Sequence, residues 1–407
     1  MCMRAMCQDE ILQTGGTCKG MPDAPQRSGG PRLPGGELLR KRVFFISLGC
    51  AKNLVDTEHM LGLLCSEGFE LTGEIDNAGV VVINTCGFIR EAVEETIETI
   101  LQAAHRKKHG GPETLIVTGC FVQRYGYRLA GEIPEVDAWV GTGEIRRIAQ
   151  VVAHCKQGKP GSFFIGRPLY LPDHAVPRIR ATPPFTAYLR IAEGCSRTCS
   201  YCMIPKLRGP LRSRRMDSLV TEAEEMAAQG VKEINLIAQD ITCYGDDLDT
   251  SSCLESLLER IVAIKGIQWV RLLYCHPHGI TDRLLEIMDA EEVVCPYLDL
   301  PLQHVNREIL KNMGRGPDSE SPLALIERIR ARKRRISLRT TLMVGFPGET
   351  ERMFEELCDF VETVRFDHLG VFVFSPEKGT RAARFRTTVS GEVSARRKAA
   401  LLTLQAR

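Results

Sequence analysis

From Val43 onward, short runs of Val, Ile and Leu alternate with helical patterns, and this alternation limits the possible folds more than any other feature of the chain. Between residues 43 and 155 the strands read RVFFISLGC, VVVINTC, TLIVTGC and VDAWVG. The first two are followed by helices through NLVDTEHMLGLLCSEG, closed by Gly68, and FIREAVEETIETILQAAHRK. Continuous apolar strands separated by helices predict an α/β domain whose open parallel sheet is covered on both faces. Three of these strands end on cysteine, at Cys50, Cys86 and Cys120. A parallel sheet gathers its C-terminal strand ends along one edge, where open α/β folds bind ligands. Three cysteines distant in sequence are therefore expected to converge as a ligand set. The competing reading, small core residues, suits free cysteine in general but does not explain its recurrence at three strand ends.

Residues 156–183 contain five prolines and predict a linker. Six further strand–helix units follow over 184–387, with strands AYLRIAEGC, EINLIAQD, WVRLLYCHP, YLDLPLQH, LRTTLMVGFPG and HLGVFVFSP. Six consecutive units predict a partial (βα)6 relative of the TIM barrel, with its site at the C-terminal strand ends. Polar residues gather at those ends: Glu193, Gln239, Asp240, His276, Gln303, His304 and Ser375. The first strand runs into EGCSRTCSYCMIP, which spaces Cys195, Cys199 and Cys202 as C-x₃-C-x₂-C. A structural zinc site takes four ligands, so zinc would need His276 or Cys275 as the fourth. Three thiolates on a four-iron cluster instead leave one iron open to a small molecule.

Lys and Arg number 53 against 51 Asp and Glu, a net charge of +2 that carries no overall nucleic-acid footprint. The basic run IRARKRRISLR, ending at Arg339, reads as a solvated helix face, with a nucleic-acid contact as the alternative. Sixteen scattered cysteines indicate a reducing cytoplasm and thiols used as ligands or packing residues. Cys65, Cys155, Cys253 and Cys358 fall on helical patterns and read as packing, as do Cys243 and Cys275 near strand ends. No apolar run reaches the ~20 residues that span a bilayer, and the first residues do not read as a secretory signal. Residues 1–42 are rich in Gly and Pro and predict a disordered tail.

At the C-x₃-C-x₂-C loop the chain resembles the radical S-adenosylmethionine (SAM) enzymes. ISLGCAKNLVDTE, INTCGFI and VTGC resemble the N-terminal domain of the methylthiotransferase family within that group. KNLVDTE, CMIPKLRG, IAQDITCYG, YLDLPLQHVNREILKNMGRG and VGFPGET are closest to the branch that modifies an aspartate of small-subunit ribosomal protein twelve; another branch modifies tRNA adenosine. The resemblance implies two 4Fe-4S clusters, one on Cys50, Cys86 and Cys120 and one on Cys195, Cys199 and Cys202. It implies that SAM chelates the open iron of the second cluster and is reductively cleaved there. The resulting 5′-deoxyadenosyl radical takes hydrogen from the aspartate β-carbon, which then captures a methylthio group associated with the first cluster. Tyr201 stands where the family has an aromatic residue beside the adenosyl group, and Gln239 and Gln303 are candidate contacts to SAM or substrate. Implied partners are ribosomal protein twelve, or the subunit carrying it, and an electron donor such as flavodoxin or ferredoxin, with no membrane. The sequence departs from the family at Ala51, where proline is usual, and at Arg214-Arg215. The family also continues into a C-terminal TRAM domain, so residues 388–407 are expected to begin a helix or linker toward a domain this sequence does not include. A non-catalytic iron–sulfur protein is the remaining alternative.

Overall fold

The computed structural model describes residues 41–129, 131–158, 161–248, 252–316, 320–386 and 388–406. The tail expected over 1–42 lies outside these except for its last two residues, and Arg42 already opens the first strand. The chain divides into two compact units, 1–182 and 183–407.

In the first unit the order is β1 (Arg42–Ser47), α1 (Ala51–Ser66), β2 (Glu70–Leu71), β3 (Val80–Thr85), α2 (Arg90–Lys108), β4 (Thr114–Gly119), α3 (Cys120–Leu129), β5 (Ala138–Val140), α4 (Ile148–Lys156) and β6 (Ser162–Phe164). The sheet is wholly parallel, in the order β2-β1-β3-β4-β5-β6. Every residue of β3 and β4 is buried, as their uninterrupted apolar sequences require of a sheet covered on both sides. Val81, Ile83, Leu115 and Val117 face a core with Ile100 and Phe121, while Val80, Val82 and Ile116 face one with Met60, Leu64 and Ile148. Each such side chain contributes roughly 1.5–3 kcal/mol on burial.

The linker reading of 156–183 is corrected here. Residues 162–164 form β6 and pair with β5, and the proline-rich stretch beyond docks on α1. Arg178 places Nε 2.9 Å and Nη2 2.6 Å from Glu58 Oε2. The Ala181 and Ile179 amides donate to the Glu58 side chain and carbonyl at 2.7 and 3.0 Å. Gly62 admits the strap, because a Cβ there would overlap the Pro177 carbonyl. Lys52, Asp56, Glu58 and His59 of this helix are all buried, Glu58 beneath these contacts.

The second unit runs β7 (Thr186–Arg190), β8 (Ala192–Glu193), α5 (Ile204–Arg208), β9 (Arg212–Ser213), α6 (Met216–Ala228), β10 (Glu233–Ile237), α7 (Leu254–Val262), β11 (Trp269–Leu272), α8 (Asp282–Ala290), β12 (Val294–Asp299), α9 (Arg307–Met313), α10 (Pro322–Arg330), β13 (Ser337–Val344), α11 (Glu351–Val364), β14 (His368–Val373) and α12 (Gly391–Gln405). Six parallel strands lie in the order β14-β13-β12-β11-β10-β7, so the barrel is open at β7 and β14. This is the expected partial (βα)6 architecture.

Residues 391–405 form the expected helix, α12, which packs on β14 and α11. Its Arg397 is buried and donates to Glu349 Oε2 at 2.9 Å and Glu351 Oε2 at 2.8 Å. The basic run at 329–339 is a set of staples. Arg334 donates to the carbonyls of Met288, Glu291 and Val294, and Arg332 pairs with Asp282. The expected helix face is corrected: the helix ends at Arg330, and the run continues through a turn, where Arg335 is exposed, into β13, where Arg339 pairs with Asp299.

Candidate functional site

The first cysteine set is organised by register. β1, β3 and β4 are adjacent strands, and neighbouring strands lie about 4.8 Å apart. Cys86 and Cys120 follow directly on the paired residues Thr85 and Gly119, and Cys50 is the N-cap of α1, three residues beyond β1. Asn53, one turn into α1, links all three strand ends. Its Nδ2 donates to the Leu48 and Thr85 carbonyls, each at 2.9 Å, and its Oδ1 lies 3.8 Å from Cys120 Sγ. Asn84 returns a hydrogen bond to the Asn53 carbonyl at 2.7 Å. Gly49 has φ +97°, and a Cβ there would sit 2.8 Å from Cys86 Cβ.

Replacing Gly49 with alanine adds about 1–3 kcal/mol of backbone strain and displaces Cys86. The expected result is lower iron incorporation confined to the first cysteine set, read by comparing iron content in this background with and without Cys195, Cys199 and Cys202.

The second set lies on the loop after β8. Gly194 (φ +76°) starts it, and a Cβ there would strike the Pro210 carbonyl. The loop is pinned along its length: Cys195 N donates to Gly209 O at 3.1 Å, Ser200 N to Met313 O at 2.8 Å, and Ala382 N to Ser200 O at 2.8 Å. Burial pushes the Cys202 thiol up to about 12, with Cys199 and Cys195 close enough to add to the effect. Burial likewise raises Cys195. These thiols are protonated at neutral pH in the metal-free chain, so metal binding there releases protons.

Around the loop, Glu193 is buried and accepts from Arg190 at 3.0 Å, Gln239 Nε2 at 2.7 Å and the Gly194 amide at 3.2 Å, with Arg208 at 3.4 Å. Burial raises its pKa, but Arg208, Arg190 and these donors outweigh burial and hold it below the usual carboxylate value. Gln239 thus orients Glu193, while its buried Oε1 has no partner among the described residues. Arg197 donates to Asp240 Oδ2 at 2.9 Å and to Cys243 Sγ at 3.1 Å.

Gln303 has φ +72°, one of three non-glycine residues with positive φ among those described. Its backbone is clamped to β13 through Thr341 O at 2.8 Å and Met343 N at 2.7 Å. Such strain persists where surrounding structure enforces it, commonly at functional sites. His304 turns away into the core toward Glu349, and Ser375 bonds Glu377 at 2.9 Å.

Residues not singled out from the sequence also matter. Arg315 Nη1 lies 3.4 Å from the Tyr201 hydroxyl, Nη2 donates to Pro301 O at 2.7 Å, and the guanidinium also reaches the Cys199 thiol. It has no carboxylate partner among the described residues. A cleft of about 1040 Å³ opens here, lined by Ser196, Arg197 and Thr198 of the cysteine loop, His276, and α9 with its following turn through Arg315. Burial, together with Arg315 and Arg197, pushes His276 down to about 2, so it stays neutral.

Among the described residues no group of His, Cys, Asp and Glu converges tightly enough to hold a single metal ion. A cubane binds each thiolate through a different iron, so its ligands encircle a cluster instead of meeting at a point. The zinc alternative also loses its proposed fourth ligand Cys275, which is packed in the barrel core. Every described cysteine is a free thiol. Cys253 differs from its packing assignment: it is exposed and caps α7, accepting from Ser256 N at 3.5 Å.

Residues 42–141 match uncharacterized protein family UPF0004, and residues 189–361 match the Radical SAM superfamily. The chain is a radical SAM enzyme, a class that works with SAM and a 4Fe-4S cluster. Similar solved structures include the radical SAM methyltransferase TsrM from Kitasatospora setae (TM-score 0.59, 16% identity, 82% of this chain and 75% of that one). The cobalamin-dependent SAM radical enzyme OxsB also shares the fold (TM-score 0.53, 12% identity, 84% and 54%). The ribosomal protein uS12 methylthiotransferases RimO of Pelobacter propionicus and Geotalea uraniireducens are 48% and 49% identical, over 90% and 91% of this chain and 82% of each relative. That of Geobacter sulfurreducens is 48% identical over 90% of this chain and 82% of its own length. The chain belongs to this RimO family of methylthiotransferases. No helix among the described residues is long and apolar enough to cross a membrane.

Proposed function

We propose that this protein attaches a methylthio group to the β-carbon of an aspartate in ribosomal protein uS12, in the cytoplasm, with SAM and two 4Fe-4S clusters. The observation that carries the reading is the pair of free-thiol triads, one at the parallel strand ends of unit one and one on the loop after β8 in unit two, in a chain of the RimO family. Unit one is the methylthiotransferase iron–sulfur domain, with Cys50, Cys86 and Cys120 as ligands. Unit two is the radical SAM barrel, with Cys195, Cys199 and Cys202 as ligands.

When bound, the barrel cluster supplies the electron, delivered by a donor such as flavodoxin or ferredoxin, that cleaves SAM to methionine and a 5′-deoxyadenosyl radical. The chain supplies placement and shielding. Arg315, a cation without a carboxylate partner beside the cysteine loop, suits the methionyl carboxylate. Tyr201, packed with Ile309, Met313 and Phe346, presents its ring as an apolar wall beside the adenosyl group. Gln303 is held in its strained backbone so that it faces SAM or substrate, and Gln239 keeps Glu193 fixed beneath the loop.

The test is to incubate the anaerobically reconstituted protein with SAM, a sulfur source, reductant and either uS12 or tRNA. Mass spectrometry should find one methylthio group in place of a hydrogen on a uS12 aspartate and none on tRNA. Modified adenosine with untouched uS12 would assign the chain to the other branch.

A further inference from the structure

Two cations in the barrel cleft are left without a structural task. Four positive side chains line it, Arg197, Arg307, Lys311 and Arg315, against a single acid, Glu308. Arg197 is engaged by Asp240, and Arg315 by Tyr201 and Pro301. Arg307 and Lys311 have no ion pair or side-chain hydrogen bond among the described residues.

The two stand four positions apart on α9, on the same helix face. Like charges at this spacing repel and weaken a helix. α9 is held by other means: Asn306 caps it through its side chain, reaching the Glu308 and Ile309 amides at 3.0 and 3.3 Å, and Gly314 ends it. Helix formation therefore gives no reason for the pair. The cysteine loop and His276 line the same cleft, and the buried His276 is neutral and supplies no charge of its own.

An aspartate presented to this site carries a carboxylate on the carbon that loses hydrogen. Arg307 and Lys311 are both exposed and so are free to turn onto that anion, and a charge-assisted contact also fixes the orientation of the β-carbon. We infer that Arg307 and Lys311 form the recognition site for the carboxylate of the target aspartate, and so select an acidic side chain for methylthio transfer. The inference rests on the reading that the substrate is an aspartate of uS12.

A binding cycle tests it with the full chain. Dissociation constants are measured for the wild-type protein and an Arg307→Gln/Lys311→Met variant, each with uS12 carrying Asp or Asn at the target position. Either change alone is expected to weaken binding about tenfold, and the two together no more than either alone, with Lys311→Arg keeping the preference for Asp. Effects that multiply independently, or a variant that still prefers Asp, overturn the assignment and leave the pair as a solvated helix face. SAM affinity that falls in step with uS12 affinity overturns it in favour of the cofactor's carboxylate. Wild-type protein that binds Asp and Asn forms equally, or neither, overturns the aspartate reading itself.

Discussion

Replacing Cys195, Cys199 and Cys202 together with alanine should halve the iron of the reconstituted protein, from about eight to about four per chain, and abolish formation of 5′-deoxyadenosine. The expectation follows from where the loop's stability comes from. Its backbone is held by Gly209, Met313 and Ala382, and its base by the buried Glu193 with Arg190 and Arg208. None of these contacts uses a cysteine sulfur. Removing three half-buried thiols therefore leaves the loop and barrel folded, and the loss is one of ligation. The first cysteine set lies in a separate compact unit with its own two cores, so its iron should remain visible spectroscopically. Wild-type protein with four irons, or with stoichiometric zinc, defeats the reading. So does a triple variant that still cleaves SAM.

How far the sequence reveals this arrangement depends on the range of the interactions involved. The strand–helix alternation is legible because period and apolarity are local properties, and it leads directly to two parallel α/β units and an open six-stranded barrel. The strands at 70–71 and 162–164 are not legible, since two or three residues cannot display an alternating pattern. The strap before Thr182 reads as a linker because its prolines forbid a ladder. What fastens it is a carboxylate 120 positions earlier, Glu58 against Arg178. The cysteines announce themselves by spacing or by strand-end position. Their supports do not: Asn53 sits in a helical pattern and looks like any polar surface residue until the register brings three strand ends around it. Arg315 lies 114 positions from Tyr201, and nothing in MGRG signals that its charge lacks an acidic partner. Gln303 is the intermediate case. Its place at a strand end is predictable, whereas its positive φ arises from pairing with β13 and is visible only in the fold.

A Cys86→Ala protein should keep reductive cleavage of SAM and lose methylthio transfer to uS12. Cys86 directly follows β3, the strand between β1 and β4, so its sulfur is the middle ligand of the first set by strand order. Alanine fits the same space, since the Cys86 Cβ already accommodates the close approach of Gly49. The Asn53 amide hydrogen bonds that tie the strand ends together run to the Leu48 and Thr85 carbonyls. The substitution should therefore remove a ligand and leave the sheet in place, with the iron content falling toward about four per chain. The barrel loop draws its hydrogen bonds from its own unit, so 5′-deoxyadenosine should still form when SAM and reductant are supplied. Its yield per methylthio product then rises without limit as transfer stops, a signature that general unfolding cannot mimic because unfolding removes both activities. Methylthio transfer at the wild-type rate would show that Cys86 is a packing residue and not a ligand. Parallel loss of cleavage would show that the two cysteine sets do not divide the chemistry between them.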